Sequence, residues 1–265
     1  MLLDVQNLGV AFENNGTLYT AVKNISFSIN NGEIVGFVGE SGAGKSVTAK
    51  AILRITGPGS IVTGKVIWQD RINLLELPEK EMRKIRGSGI AMIFQNPQLT
   101  LNPGFTIKNQ LISVIKLHNQ NLSKDQIAEK LENLLELVQA GYLLRNGKIN
   151  SYPFQLSGGE CQRIMIAMAL ACNPELLIAD EPTSSLDVTI QAEILDLLKD
   201  IQEKFKLAVL FISHDLAIVS QIANRIMVIY KGEIVESGET EKIFTDPRHP
   251  YTVKLINSIP VPKYL

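Results

Sequence analysis

The sequence is poor in cysteine, in any excess of one charge and in long apolar runs, and each shortage excludes a class of protein. Only two cysteines occur in 265 residues. Cys161 and Cys172 fall in one predicted helix, whose rise would hold them roughly 16 Å apart, too far for a disulfide. Two thiols without CxxC spacing read as packing residues in a reducing cytoplasm. The formal net charge is −1, which argues against a chain whose main work is neutralising a nucleic-acid backbone. The longest apolar run, Ile164 to Cys172, is far short of the roughly 20 residues that span a bilayer. Met1 leads straight into "LLDVQNLGV" without a basic segment or cleavage site, so no secretory signal is expected. Internal repeats and low-complexity segments are absent as well. A soluble globular chain is what remains.

What is present has an ordinary balance, 45% apolar and 20% charged residues, enough for one large domain or two modest ones. Leu3, Val5, Leu8 and Val10, then Ile25, Phe27 and Ile29, alternate with polar neighbours. That pattern predicts antiparallel strands with one wet face. At "GEIVGFVG" it changes to a nearly continuous apolar strand, a glycine-rich loop and the helix "KSVTAKAILRI". Similar runs recur at "IAMIF" (90–94), "LLIA" (176–179) and "AVLFI" (208–212), as expected of a parallel sheet covered on both faces. Between the first two of these, "TIKNQLISVIKLH" and "SKDQIAEKLENLLELVQA" turn helical. Ser123 and Gln126 form a capping box, and Ile127, Leu131, Leu134, Leu135 and Val138 form one stripe. Residues 97–172 therefore read as a helical insertion in an α/β domain. "RIMVIY" and "EIVESG" around Lys231-Gly232 read as a hairpin, followed by a short proline-punctuated tail.

Three stretches carry chemistry. Gly39, Glu40, Ser41, Gly42, Ala43, Gly44, Lys45 and Ser46 fit G-x-x-x-x-G-K-[ST] in full, with a buried strand before and a helix after. Backbone N–H groups from Gly42 to Ser46 are expected to wrap a β-phosphate, Lys45 to reach the β/γ oxygens and the Ser46 hydroxyl to hold Mg²⁺. "LLIADE" ends a buried strand in Asp180 and Glu181, where ligands bind in open α/β sheets. Asp180 is expected in the Mg²⁺ shell and Glu181 as the acceptor of a proton from attacking water. The bland alternative is a solvated strand end before Pro182. Gln95 and His214 also close buried strands, where an amide or a neutral imidazole can hydrogen-bond a γ-phosphate or water; His214 has the alternative of capping or preceding a helix.

The third stretch is "SGGECQR" at 157–163. Ser157 and Glu160 have capping-box spacing, which a well-made helix start explains. Gly158 and Gly159 fit that explanation poorly. Early glycines cost roughly 1 kcal/mol each relative to alanine and bare the backbone N–H groups, a surface suited to an anion that must come very close.

In this order the motifs resemble those of ABC-type ATPases over essentially the whole chain. The resemblance makes Gln95 the Q-loop residue beside the metal, "LSGGE" at 156–160 the signature, "SSLD" at 184–187 the D-loop and His214 the switch histidine. It implies an α/β fold of the phosphate-loop NTPase type: a parallel-sheet core, an N-terminal antiparallel β-subdomain and an inserted α-helical subdomain. By this reading 1–96 and 173–240 form the ATP-binding core, 97–172 the helical subdomain and 241–265 a short tail. It further implies two ATPase subunits stacked head to tail, each ATP lying between the phosphate loop of one and Ser157, Gly158 and Gly159 of the other. Phe12, with Tyr19 as runner-up, is the expected adenine-stacking ring, ordinary strand packing being the alternative for either.

"FQNPQLTLNP", "YPFQLSGGECQRIMIAMA" and "HPYTVKLINSIP" look like the peptide/nickel importer branch. The chain ends at Leu265 without a cysteine after Cys172, a shortness similar to the nickel-type subunits, and Glu160 and Cys161 replace the commoner Gln or Met. The implied protein binds ATP and Mg²⁺ at the cytoplasmic face of the cell membrane. Its implied partners are a related ATPase subunit, two integral-membrane permeases and, indirectly, an extracytoplasmic substrate-binding protein, with no nucleic acid. The rival is a soluble ABC-type ATPase that moves no substrate, as in cluster assembly.

Overall fold

Leu3, Val5, Leu8 and Val10 step by two, three and two residues, which a regular strand cannot place on one face. The computed structural model, which describes residues 1–14, 16–117, 119 and 121–259, resolves the conflict with a bulge. Asn7 takes a left-handed φ of 49° and the pairing register shifts between Val5 and Leu8. The same device recurs between Val22 and Ile25, where Asn24 has φ 48°. Asparagine tolerates that region better than most residues, so both bulges keep the apolar set on the buried side. All six of these apolar residues are at most 2% exposed.

Ten strands run through the described residues: β1 (Leu3–Asn14), β2 (Thr17–Ile29), β3 (Ile34–Val38), β4 (Ser60–Trp68), β5 (Ile72–Asn73), β6 (Ile90–Ile93), β7 (Leu176–Asp180), β8 (Ala208–Ser213), β9 (Arg225–Tyr230) and β10 (Glu233–Glu239). The chain divides into two compact units, Met1–Met82 with Ala208–Leu265, and Arg83–Leu207.

In the first unit an antiparallel sheet runs β2-β1-β4-β5, and β10-β9-β3-β8 follow one another in a second sheet. β3 lies parallel to both β8 and β9. Every residue of β3 and β8 is buried, which explains their unbroken apolar runs. β9 returns antiparallel as β10 through Lys231 (φ 49°) and Gly232 (φ 85°), the two left-handed residues of a tight hairpin turn.

In the second unit β6 and β7 pair in parallel. Within 97–172 the described residues form helices joined by turns and irregular segments, with no strand. The helix Lys124–Leu137 starts on the expected reciprocal Ser123–Gln126 capping box, and its stripe from Ile127 to Val138 is buried. The helix Gly158–Leu170 is buried almost all round, as its composition demands. It ends at Leu170, so Cys172 lies in the following turn and not, as expected, in the same helix as Cys161. The last residues of the proline-punctuated tail, 260–265, lie outside the described residues.

Candidate functional site

The phosphate loop begins where β3 ends. Gly44 (φ 106°) caps the helix Lys45–Ile52, and an added Cβ there would meet the Ala21 carbonyl oxygen at 2.6 Å. Glycine is therefore required both for the backbone angle and for the close approach. That helix start has no side-chain cap and no acidic residue in its first turn, among the described residues. The helix dipole favours an anion at such a start. Lys45 is 4% exposed. Its ammonium folds back over the loop, donating to the carbonyls of Gly39 at 2.6 Å and Glu40 at 2.9 Å.

His214 directly follows β8, the parallel neighbour of β3. Its side chain is exposed. The next helix is capped by Asp215, whose carboxylate accepts from Ala217 N at 2.8 Å and Ile218 N at 3.3 Å. The cap is thus Asp215 and not His214, which precedes the helix as the other half of that alternative allows.

In the second unit, parallel β6 and β7 bring two more of the expected residues together. Gln95 Nε2 donates to Glu181 Oε2 at 2.7 Å. Glu181 is 9% exposed and holds a left-handed φ of 48°, an unfavourable angle for a glutamate. Ser184 keeps it there by donating from both its N–H (3.3 Å) and its hydroxyl (3.2 Å) to the Glu181 carbonyl. Strain of this kind persists only where the surroundings over-determine it, and it clusters at functional sites. Asp180, at the end of β7, is 4% exposed.

The signature helix starts on a complete capping box. Ser157 Oγ accepts from Glu160 N at 3.2 Å, and Glu160 Oε2 accepts from Ser157 N at 2.7 Å. Lys148, not singled out from the sequence, donates to both Glu160 oxygens at 2.6 and 2.8 Å. Burial pushes the Glu160 carboxyl up, but the bonds from Lys148 and Ser157 outweigh it and hold the group below its ordinary range. The two glycines differ. A Cβ on Gly159 would come within 2.8 Å of Ile190 Cγ2, on the helix Val188–Phe205. A Cβ on Gly158 would meet only Leu186 Cδ2, at an ordinary 3.5 Å. Gly159 therefore has a packing reason inside this chain in addition to the anion expected at both glycines. Gly158 has none of that kind.

The ABC transporter family profile matches residues 22–184, and the profile for the oligopeptide/dipeptide transporter C-terminal region matches 235–264. The chain belongs to the ABC transporter family. This ABC subunit is 45% identical over 261 residues to the oligopeptide transport ATP-binding protein OppD of Bacillus subtilis, covering 98% of itself and 72% of that relative. It is 46% identical over 259 residues to the dipeptide transport ATP-binding protein DppD of Haemophilus influenzae, covering 98% of itself and 78% of that relative. Among solved structures it resembles the dimeric ATP-binding cassette MJ0796 in a post-hydrolysis state with ADP and phosphate. There the TM-score is 0.78 at 29% identity, covering 90% of this chain and 99% of that one. It is an ATPase, and no helix among its described residues is long and apolar enough to cross a membrane.

Two further sets of residues in this ABC ATPase can now be placed. Phe12 on β1 is the direct cross-strand partner of Tyr19 on β2. The two candidate adenine rings are thus neighbours, Phe12 half-buried and Tyr19 62% exposed. Burial pushes the Cys161 thiol up to about 11 and raises that of Cys172. Neither is a ready thiolate, in keeping with a packing role. Sequence reasoning missed Tyr251, whose hydroxyl accepts from Glu40 N at 2.9 Å. It lies far from the loop in sequence, and no short-range pattern signals such a contact.

Proposed function

We propose that the chain energises the import of small peptides by hydrolysing ATP at a site it shares with a second ATPase subunit. The uncapped, glycine-rich helix start at Gly44, with a buried lysine folded over it, is the observation that carries the nucleotide reading. Lys45 exchanges two neutral carbonyls for the β- and γ-phosphates, which are shorter and stronger charge-assisted partners. Phe12 or Tyr19 stacks on the adenine. Were Mg²⁺ to accompany the nucleotide, the Ser46 hydroxyl in the first unit, and separately Asp180 and Gln95 in the second, would be its candidate ligands, and it would neutralise charge at the phosphates. The Ser46 hydroxyl at the start of the helix Lys45–Ile52, the buried Asp180 carboxylate and the Gln95 amide oxygen are hard oxygen donors of the kind Mg²⁺ takes.

Glu181 takes a proton from the attacking water, and His214 hydrogen-bonds the γ-phosphate. The Gln95 amide orients the Glu181 carboxylate from 2.7 Å. Gln95 also opens the segment that exposes Leu99 (83%) and Phe105 (56%), a surface suited to membrane-embedded permease subunits. Through it, docking can move the amide and so gate the base. Ser157, Gly158 and Gly159 complete the partner's site. To shift closure from 1:99 to 99:1, nucleotide must favour the closed state by roughly 5.5 kcal/mol, within reach of two sites rich in charge-assisted bonds. The partner is a related but distinct chain, the pair sits at the cytoplasmic membrane face, and an extracytoplasmic binding protein delivers cargo.

Peptide is preferred to nickel because the relatives OppD and DppD are oligopeptide and dipeptide transport proteins. The same names disfavour the soluble, non-transporting reading. Uptake of a labelled tripeptide and of labelled Ni²⁺ in a strain lacking the gene tests this. Loss of peptide uptake alone is expected; loss of Ni²⁺ uptake alone would reassign the cargo, and loss of neither would refute both.

A further inference from the structure

The C-terminal segment reaches the phosphate loop. Tyr251, in the helix Pro250–Asn257, is 6% exposed and lies in the same compact unit as the loop. Its ring stacks on Tyr230 at the end of β9, with centroids 4.2 Å apart. Its backbone N–H donates to His249 Nδ1 at 3.2 Å, capping the helix. Glu236 on β10 fixes the approach by accepting from Arg248 N at 2.8 Å and His249 N at 3.0 Å. Packing and hydrogen bonds on several sides thus aim one hydroxyl at one atom, the amide nitrogen of Glu40, 2.9 Å away.

That amide belongs to the peptide whose carbonyl is Gly39 O, the closer of the two Lys45 partners at 2.6 Å. A peptide unit is planar, with its N–H and C=O pointing in opposite directions. Tyr251 therefore grips one side of the plane and Lys45 the other. Turning the plane would break both bonds together. The Glu40 N–H lies upstream of the Gly42–Ser46 N–H groups expected to meet phosphate, so the hydroxyl does not compete with the ligand.

We propose that Tyr251 is a positioning residue of the nucleotide site, holding the Gly39–Glu40 peptide so that the loop and Lys45 are set for the β- and γ-phosphates. The proposal rests on the phosphate-loop reading above and adds the C-terminal segment to it. Tyr251→Phe removes the hydroxyl and keeps the ring stack. Losing one backbone hydrogen bond at the loop weakens ATP binding by about 3- to 10-fold. Lys254, on the same helix, pairs with Glu40 at 3.5 Å, but its side chain is 75% exposed. An exposed pair of this kind contributes little, so Lys254→Ala leaves affinity within about twofold.

The test is titration of the full-length chain with a fluorescent ATP analogue, reading the dissociation constant and the bound stoichiometry for wild type, Tyr251→Phe, Lys254→Ala and Lys45→Ala. The expected result is a weaker constant at full stoichiometry for Tyr251→Phe, near-normal binding for Lys254→Ala and lost binding for Lys45→Ala. A merely structural role for Tyr251 would lower the stoichiometry and leave the constant unchanged, and that result overturns the proposal. Normal binding by Tyr251→Phe beside lost binding by Lys45→Ala also overturns it while sparing the phosphate loop. Normal binding by Lys45→Ala refutes the loop reading itself.

Discussion

Alanine at each of the two signature glycines separates packing from ligand contact. Glycine to alanine in a helix stabilises by up to about 1 kcal/mol through propensity and the unfolded chain. At Gly158 the new Cβ meets only Leu186 Cδ2 at 3.5 Å, so nothing offsets the gain. Gly158→Ala should raise the melting temperature by up to about 2–4 °C. At Gly159 the Cβ lies 2.8 Å from Ile190 Cγ2, and overpacking of this kind costs about 1–3 kcal/mol. Gly159→Ala should therefore end near neutral or lose up to about 2 kcal/mol. Ile190→Ala removes the obstructing methyl, so the double variant should show a coupling of about 1 kcal/mol or more in favour of the pair. Urea unfolding of the four chains measures it. Purely additive effects would refute the packing account of Gly159. Function should run the other way: Gly158→Ala, although stable, should lose ATP-driven pairing if its bare backbone meets a phosphate held by another subunit.

The other predictions concern the signature and the adenine ring. Ser157→Arg should leave nucleotide binding by the single chain intact while abolishing ATP-driven pairing and turnover; surviving closure, read by size-exclusion chromatography with ATP, would separate the signature from the partner's site. The Glu160 carboxyl is held below its usual value of 4.5, so its contribution to stability is present above that pH and is lost as the pH falls through the lowered folded value. The urea stability gap between wild type and Glu160→Gln should accordingly be larger at pH 7 than at pH 4, and a gap that widens on acidification would contradict this. Of Phe12→Ala and Tyr19→Ala, the one that removes the stacking ring should weaken ATP binding by roughly 1–3 kcal/mol; equal, negligible effects would exclude both.

Much of this was legible from local patterns, because local physics imposes them. A phosphate loop needs glycine where φ is positive, as at Gly44, and buried parallel strands such as β3 and β8 need unbroken apolar runs. Simple alternation misses the bulges of β1 and β2, although Val5–Leu8 and Val22–Ile25 are three-residue steps. The helix start at Ser157 shows where such reasoning stops. Its capping box is local and readable, but the need for glycine at 159 comes from Ile190 on another helix. The Lys148 pair with Glu160 and the Tyr251 bond to the loop depend on tertiary placement, which one sequence does not print. Cys172 was misplaced for a smaller reason: apolar composition continues past Leu170, although the helix does not.

The central claim is that hydrolysis at Glu181 drives peptide import. It is tested most directly by replacing the cell's own copy with Glu181→Gln and measuring ATP-dependent uptake of a labelled tripeptide, with ATPase activity of the membrane-recovered complex. Removing the base should cut hydrolysis by roughly 10²–10⁴ and abolish uptake, while the variant still binds ATP and is recovered with its membrane partners. Near-normal uptake and turnover with the glutamine in place would contradict the account.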